Sequence, residues 1–285
     1  MHRPLEEEDP MLLVTGASGQ LGSRVHTGLV AAGVPAHAGS RTPSAFGPAG
    51  RLLDLDDPAT LDLAGVDVLV LVSAGYAEDD VVLTRHDRVL TAAEEQGVGH
   101  VVYTSLTGAG DHLGFALAHR WTERRLACSG LRWTVLRNGL YAELFGQLAA
   151  PQNGVVAAPF GSGALAAVAR QDLADVAVRV AADVAADPSA HVGRVYELAG
   201  TTAFTAAQLA RAWGAEHRPI TLGAQRTALA GQDLLPFQPA MLMSIYSTVA
   251  AGLLADTRSD LPDLLGHPPR DALAAAVAAG VPEAI

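Results

Sequence analysis

Thr15-Gly16-Ala17-Ser18-Gly19-Gln20-Leu21-Gly22 decides the reading of this chain. Its three glycines, spaced three apart, stand between a short apolar run, Met11 to Thr15, and an amphipathic helical pattern from about Leu21 to Ala32. Strand, tight turn and helix in that order open a dinucleotide-binding unit. Gly16 permits the turn. Gly19 lets backbone approach a pyrophosphate, and Gly22 lets helix and strand pack closely, so that phosphates rest on the helix N-terminus.

Outward from the loop the alternation of strand and helix continues. Pro35 to Gly39, Arg51 to Asp54, Val68 to Val72, Val101 to Thr104, Trp133 to Arg137 and Arg194 to Leu198 read as strands. Asp79 to Gln96 and Gly114 to Ser129 read as helices between them. This order predicts an α/β fold, a Rossmann-type doubly wound parallel sheet covered on both faces. After about Tyr141 the regularity fades into alanine-rich helices at Asp172 to Ala186, Thr205 to Trp213 and Asp271 to Ala279. The expected organisation is an acidic extension over 1–10, a nucleotide-binding core over 11–150, and a smaller, mostly helical C-terminal substrate lobe over 151–285, with the strand near 194–198 returning to the core.

The second strand bears on which dinucleotide is expected. A site preferring NAD places Asp or Glu about 20 residues after the loop, on the ribose 2′-hydroxyl. Here the strand runs Ala36-His37-Ala38-Gly39-Ser40-Arg41, with no carboxylate. Arg41 can pair with a 2′-phosphate and Ser40 adds a hydroxyl, so the expected cofactor is NADP(H).

Composition removes other classes. With 30 acidic against 19 basic residues and a net charge of -11, the chain has no broad basic footprint for nucleic acid. Cys128 is the single cysteine, which excludes an intrachain disulfide and a Cys-rich metal site and fits a reducing, cytoplasmic compartment. His100 and His112 are isolated, and no metal site is expected. The segment 1–10 lacks the apolar core of a signal peptide. The uncharged run Leu234 to Ala255 is long enough to span a membrane but is interrupted by Pro236, Gln238, Pro239, Ser244 and Ser247, which predicts a buried helix beside a substrate pocket. There Tyr246 and Met243 are candidates to line the pocket, with core packing as the default. A monomer or homodimer without membrane attachment is expected.

Five stretches then carry a family likeness: the glycine loop, Val102-Tyr103-Thr104-Ser105, His119 to Glu123, Leu136-Arg137-Asn138-Gly139-Leu140-Tyr141, and Val195-Tyr196-Glu197-Leu198. Together they resemble the NmrA-like atypical short-chain dehydrogenases, and within that group the chain is most similar to bacterial NADPH-quinone oxidoreductases and triphenylmethane reductases. The likeness runs from Met11 through Leu261-Pro262-Asp263-Leu264-Leu265-Gly266. It implies a cofactor lined by Gly16, Ser18, Gly19, Gln20, Leu21, Gly22, Ser40, Arg41, Val72, Ser73, Ala74, Arg137 and Asn138, with Gly161-Ser162-Gly163 through Arg170 and Asp172 closing the cleft. Gly39-Ser40 departs from the apolar pair usual before the arginine.

All nineteen basic residues are arginine. The Tyr and Lys pair with which ordinary short-chain dehydrogenases deliver a proton is therefore absent. His119 and Glu123 stand where the resemblance would place that pair, four apart on a helix and able to face the same way. His119 is the candidate proton donor, or else a surface histidine capped by Glu123. Tyr141 is a candidate to stack on nicotinamide or acceptor, or else a core tyrosine. Tyr103 reads as core, and Ser105 sits at a strand end where ligands are met.

A ketone needs a proton as the hydride arrives, whereas a quinone or cationic dye is already electrophilic. An NADPH-dependent reductase of a quinone or similar aromatic small molecule is the expected function. Two alternatives are an NADP(H)-sensing regulator that acts on a protein partner without turnover, and an isomerase or epimerase that uses nicotinamide transiently.

Overall fold

The computed structural model describes residues 10–74 and 76–280. The acidic extension therefore lies, apart from Pro10, outside the described residues. The chain runs β1 (Leu12–Val14), α1 (Gln20–Ala31), β2 (Ala36–Ser40), β3 (Gly50–Leu52), β4 (Val68–Val72), α2 (Asp79–Glu95), β5 (His100–Leu106), α3 (Ala116–Ala127) and β6 (Arg132–Asn138). Then follow α4 (Ala142–Leu148), β7 (Val155–Val156), β8 (Ala164–Leu165), α5 (Arg170–Ala186), β9 (Arg194–Leu198), β10 (Phe204–Thr205), α6 (Ala206–Ala212), β11 (Glu216–His217), α7 (Leu222–Ala230), α8 (Gln238–Ala250), α9 (Leu261–Leu265) and α10 (Ala272–Ala279).

Seven strands form one parallel sheet in the order β3-β2-β1-β4-β5-β6-β9. Side chains alternate across it with the period of two that strand geometry imposes. Leu12, Val14, Val68, Val70, Val102 and Leu136 face one layer, where they pack with Val25 and Leu29 of α1 and Leu173, Val176 and Val180 of α5. Leu13, Leu69, Leu71, Val101, Tyr103 and Val135 face the other, against Val89 and Leu90 of α2 and Leu126 of α3. With both faces covered, central strands read as continuous apolar runs, and all seven residues of β5 are buried.

Close approach of α1 and α5 depends on Gly28, where a β-carbon would stand 2.7 Å from the Val178 side chain. The two helices lie side by side with both N-termini toward the strand ends.

A second core, built from Phe145, Phe160, Phe204, Leu209, Ile245, Tyr246, Val249 and Ala276, forms the lobe. Residue 150 does not part the two cores. Helix α4 lies before it yet packs in the lobe, while α5 and β9 lie after it yet complete the sheet assembly. The uncharged run forms α8, with Tyr246 and Met243 buried; the Tyr246 ring packs 5.1 Å from that of Phe160. No helix among the described residues is long and apolar enough to cross a membrane.

Candidate functional site

The order of strands reverses at β1, whose neighbours are β2 and β4, so loops leave its C-terminal end in opposite directions and open a crevice. The Thr15 hydroxyl closes the floor by accepting the Val72 N–H at 2.9 Å, and the Ala17 N–H donates to the Gly39 carbonyl at 3.1 Å. Gly16 takes φ +57, the left-handed region that glycine enters without strain. A β-carbon at Gly22 would lie 2.3 Å from the Gly16 carbonyl oxygen. Helix α1 thus begins tight against the turn with no side chain capping it, leaving its first N–H groups to a ligand.

The resulting cavity, about 540 Å³, brings together Gly16, Ser18, Gly19, Gln20, Leu21, Gly22, Ser40, Arg41, Val72, Ser73, Ala74 and Tyr141. Arg41 is exposed, and no ion pair or hydrogen bond engages its side chain among the described residues. Ser40 is buried, its hydroxyl oxygen accepting the Thr42 N–H at 3.1 Å.

Sequence reasoning missed a further wall. Gly39, Leu53, Asp54, Leu55, Asp56, Tyr76 and Arg85 also line the cavity. Arg85 grips Asp56 through two hydrogen bonds of 2.7 and 2.6 Å. The signal for Leu53 to Asp56 was position alone, since they follow β3 at the same sheet edge as the glycine loop.

His86 was missed as well. Its Nε2 accepts the Ala74 N–H at 3.0 Å, and its Nδ1 meets the Thr122 hydroxyl at 2.8 Å, whose own proton goes to the Ala118 carbonyl. That arrangement makes Nδ1 the protonated nitrogen and His86 neutral. Burial, with smaller repulsion from His119 and Arg85, holds it at about 3. The Ser73 N–H is tied to the Thr104 hydroxyl at 3.1 Å, so the segment after β4 is pinned twice against the cleft.

His119, Glu123, Arg137 and Asn138 do not line this cavity. His119 and Glu123 share a helix but have different partners. His119 Nδ1 meets the buried Tyr103 hydroxyl at 3.0 Å, and burial and Arg120 hold the imidazole at about 4. Glu123 accepts from Ser105 at 2.6 Å, from Arg120 at 2.7 Å and from Arg137 at 3.0 and 2.7 Å. Burial pushes its carboxyl up, but the hydrogen bonds from Arg137 and Ser105 outweigh that and hold it below the usual range. The expected capping of His119 by Glu123 is not present. Arg137 also reaches Glu197 at 2.9 Å, which occupies its guanidinium in tying β6 to α3 and β9. Asn138 is buried at the end of β6.

Arg170 does border the cleft, whereas Gly163 is packed against the Val249 carbonyl and Asp172 is buried under Arg270.

The buried His86 and His100 and the partly buried His119 are expected to make the fold acid-sensitive. His86, His100 and His119 sit at about 3, 4 and 4, each lowered first by burial. An unfolded histidine titrates near 6.5, so between about 6.5 and 4 the unfolded chain binds more protons than the folded one. Stability then rises with pH across that window and falls on acidification, by up to about 1.4 kcal/mol per pH unit for each histidine. Urea unfolding at pH 7, 6 and 5 is expected to show a midpoint that drops at each step. A midpoint flat from 7 to 5 would contradict it.

A doubly wound parallel sheet, an uncapped glycine-led helix and an unpaired arginine beyond β2 define a dinucleotide-binding protein. A family model described as NAD(P)H-binding matches residues 16–184. Quinone oxidoreductase 2 of Escherichia coli (strain K12) is 35% identical over 278 residues, covering 90% of this chain and 94% of the relative. The chain belongs to this NAD(P)H-binding family. The solved structure of the E. coli NADPH-dependent quinone oxidoreductase complexed with NADPH superposes with a TM-score of 0.81 at 33% identity, covering 93% of this chain and 98% of the other. That of the Citrobacter sp. triphenylmethane reductase complexed with NADP(H) gives 0.84 at 26% identity, covering 95% and 100%.

Proposed function

We propose that this chain is an NADPH-dependent reductase of a quinone or a similarly electrophilic aromatic acceptor. The observation that carries the reading is the cavity itself, in which the uncapped α1 N-terminus and the unpaired Arg41 face one space with no carboxylate at the end of β2. The likeness to the E. coli quinone oxidoreductase over 94% of that protein's length supports the acceptor class.

The residues present fit the cofactor. The cavity that opens at the uncapped N-terminus of α1, walled by Gly16, Ser18 and Gly19, offers room for a pyrophosphate, and Arg41 can grip a 2′-phosphate. When bound, the nicotinamide supplies a hydride. The chain's part is to fix the cofactor and to present an acceptor, since positioning dominates when the acceptor is already reactive.

Tyr141 stands at the cavity with its phenol raised by burial, so it stays protonated and serves as a flat wall or hydrogen-bond donor. His119, held at about 4, is unprotonated near pH 7, and with no lysine in the chain no strong side-chain acid is at hand. Reduced quinones ionise near the tyrosine range, about 10, so a proton from water completes their reduction, which is why they suit this site better than ketones.

NADPH absorbance followed with a panel of quinones, triphenylmethane dyes and ketones is expected to show oxidation with quinones or dyes and none with ketones. Tight NADPH binding without oxidation by any acceptor would favour a sensing protein. Arg41→Ala is expected to weaken NADPH by about 30-fold or more, from loss of charge-assisted bonds, with little effect on NADH. Equal loss for both cofactors would remove Arg41 from the 2′-phosphate.

A further inference from the structure

Arg170 carries a guanidinium that no carboxylate pairs with among the described residues. The residue is 7% exposed, opens α5 and borders the cofactor cavity. Its Nε is buried without a hydrogen-bond partner, and no ion pair engages its guanidinium among the described residues. The neighbouring carboxylates give the guanidinium no hydrogen bond among the described residues, although the Glu143 charge favours it. Glu143 accepts the Arg170 backbone N–H at 3.1 and 3.2 Å, and Asp172 accepts from Arg270. The guanidinium instead stacks 4.5 Å above the Tyr141 ring. The other arginines set deep beside the strand ends, Arg120 and Arg137, are each shared between two carboxylates. A buried cation is costly unless paired, so this one awaits an anion delivered through the cavity.

We propose that Arg170 is a second phosphate anchor of the cofactor, gripping the pyrophosphate from the α5 side while the α1 N-terminus holds it from the glycine loop. The inference rests on the cofactor reading above and divides the labour within it. Arg41 reads the 2′-phosphate that distinguishes NADPH, and Arg170 reads the linkage that NADPH and NADH share. Gly28 lets the two helices pack closely, and the first residues of both, Gln20 and Arg170, line the one cavity. Because Arg170 stacks on Tyr141, an anion that fixes the guanidinium also fixes the aromatic wall against which the acceptor would lie.

The test is Arg170→Met, which keeps length and removes charge, with Arg170→Lys as the charge-retaining variant. Calorimetric titration is expected to show NADPH and NADH weakened by the same factor, about 30-fold or more, with their ratio unchanged. Binding of 2′-AMP, which has no pyrophosphate, should match wild type. Arg170→Lys should fall between, since an ammonium keeps the charge without the fork. Without cofactor, Arg170→Met should melt no lower than wild type, because an unpaired buried charge has been replaced by an apolar group. NADPH affinity within about threefold of wild type in Arg170→Met would overturn the proposal. So would a loss confined to NADPH, or a lower melting temperature without cofactor, which would make Arg170 a structural cation. Wild-type protein that fails to bind NADPH would instead overturn the functional reading on which this one stands.

Discussion

Gly22→Val is expected to abolish dinucleotide binding. A β-carbon there would meet the Gly16 carbonyl oxygen at 2.3 Å, the Gly16 carbonyl carbon at 2.8 Å and the Thr15 carbonyl oxygen at 3.0 Å. All three atoms are backbone, so no flexible side chain can yield. Either the turn or the start of α1 must shift, and the helix N–H groups leave the position from which they meet a phosphate. Losing two charge-assisted bonds of about 1.5–3 kcal/mol each weakens binding by about 100-fold or more. The sheet core lies beyond the turn, so the variant is expected to stay folded. Calorimetric titration with NADPH reads the effect, and an affinity within tenfold of wild type would show that the loop is not a phosphate cradle.

Removing Glu123 is expected to cost more stability than any other single polar substitution near the strand ends. Its carboxylate, 13% exposed, is shared by Arg120, Arg137 and Ser105. Glu123→Ala leaves two largely buried guanidinium groups with one carboxylate fewer between them, a loss of about 3–5 kcal/mol. Glu123→Gln keeps the shape but not the charge and should lose less. The sheet between α3, β6 and β9 is where the damage falls, so urea unfolding should show a lower midpoint in both variants. A midpoint for Glu123→Ala equal to wild type would mean that the arginines find other partners at no cost.

Much of this architecture was legible because its cause is local. The run Val68 to Val72 forms β4 with those bounds, since a strand buried on both faces can hardly be anything but apolar. The glycine loop was legible for the same kind of reason, each glycine answering a steric demand within seven residues. What could not be read were pairings set by the fold. His119 and Glu123 are four apart on α3, and spacing suggested a common task. Tyr103 of β5 draws one inward while Arg137 of β6 draws the other toward the strand ends. Arg137 itself carried a likeness to a cofactor contact, yet Glu197 of β9, sixty residues on, engages it. Helix α4 escaped notice because it is short and has Gly146 in its middle, a poor helix former admitted by the backbone of α10 lying across it.

That crossing has a bearing on how the molecule comes into being. At Gly146 a β-carbon would stand 2.0 Å from the Ala276 carbonyl oxygen, and the Trp213 indole donates to the Val277 carbonyl at 2.9 Å. The lobe is thus sealed by a helix made well after the sheet strands that flank the glycine loop, which are complete by Asn138. During synthesis the phosphate cradle can assemble on a nearly finished sheet while Phe145 and its neighbours still lack their final cover. Order of synthesis then lets the glycine loop and its flanking strands form ahead of the cover that α10 gives the lobe.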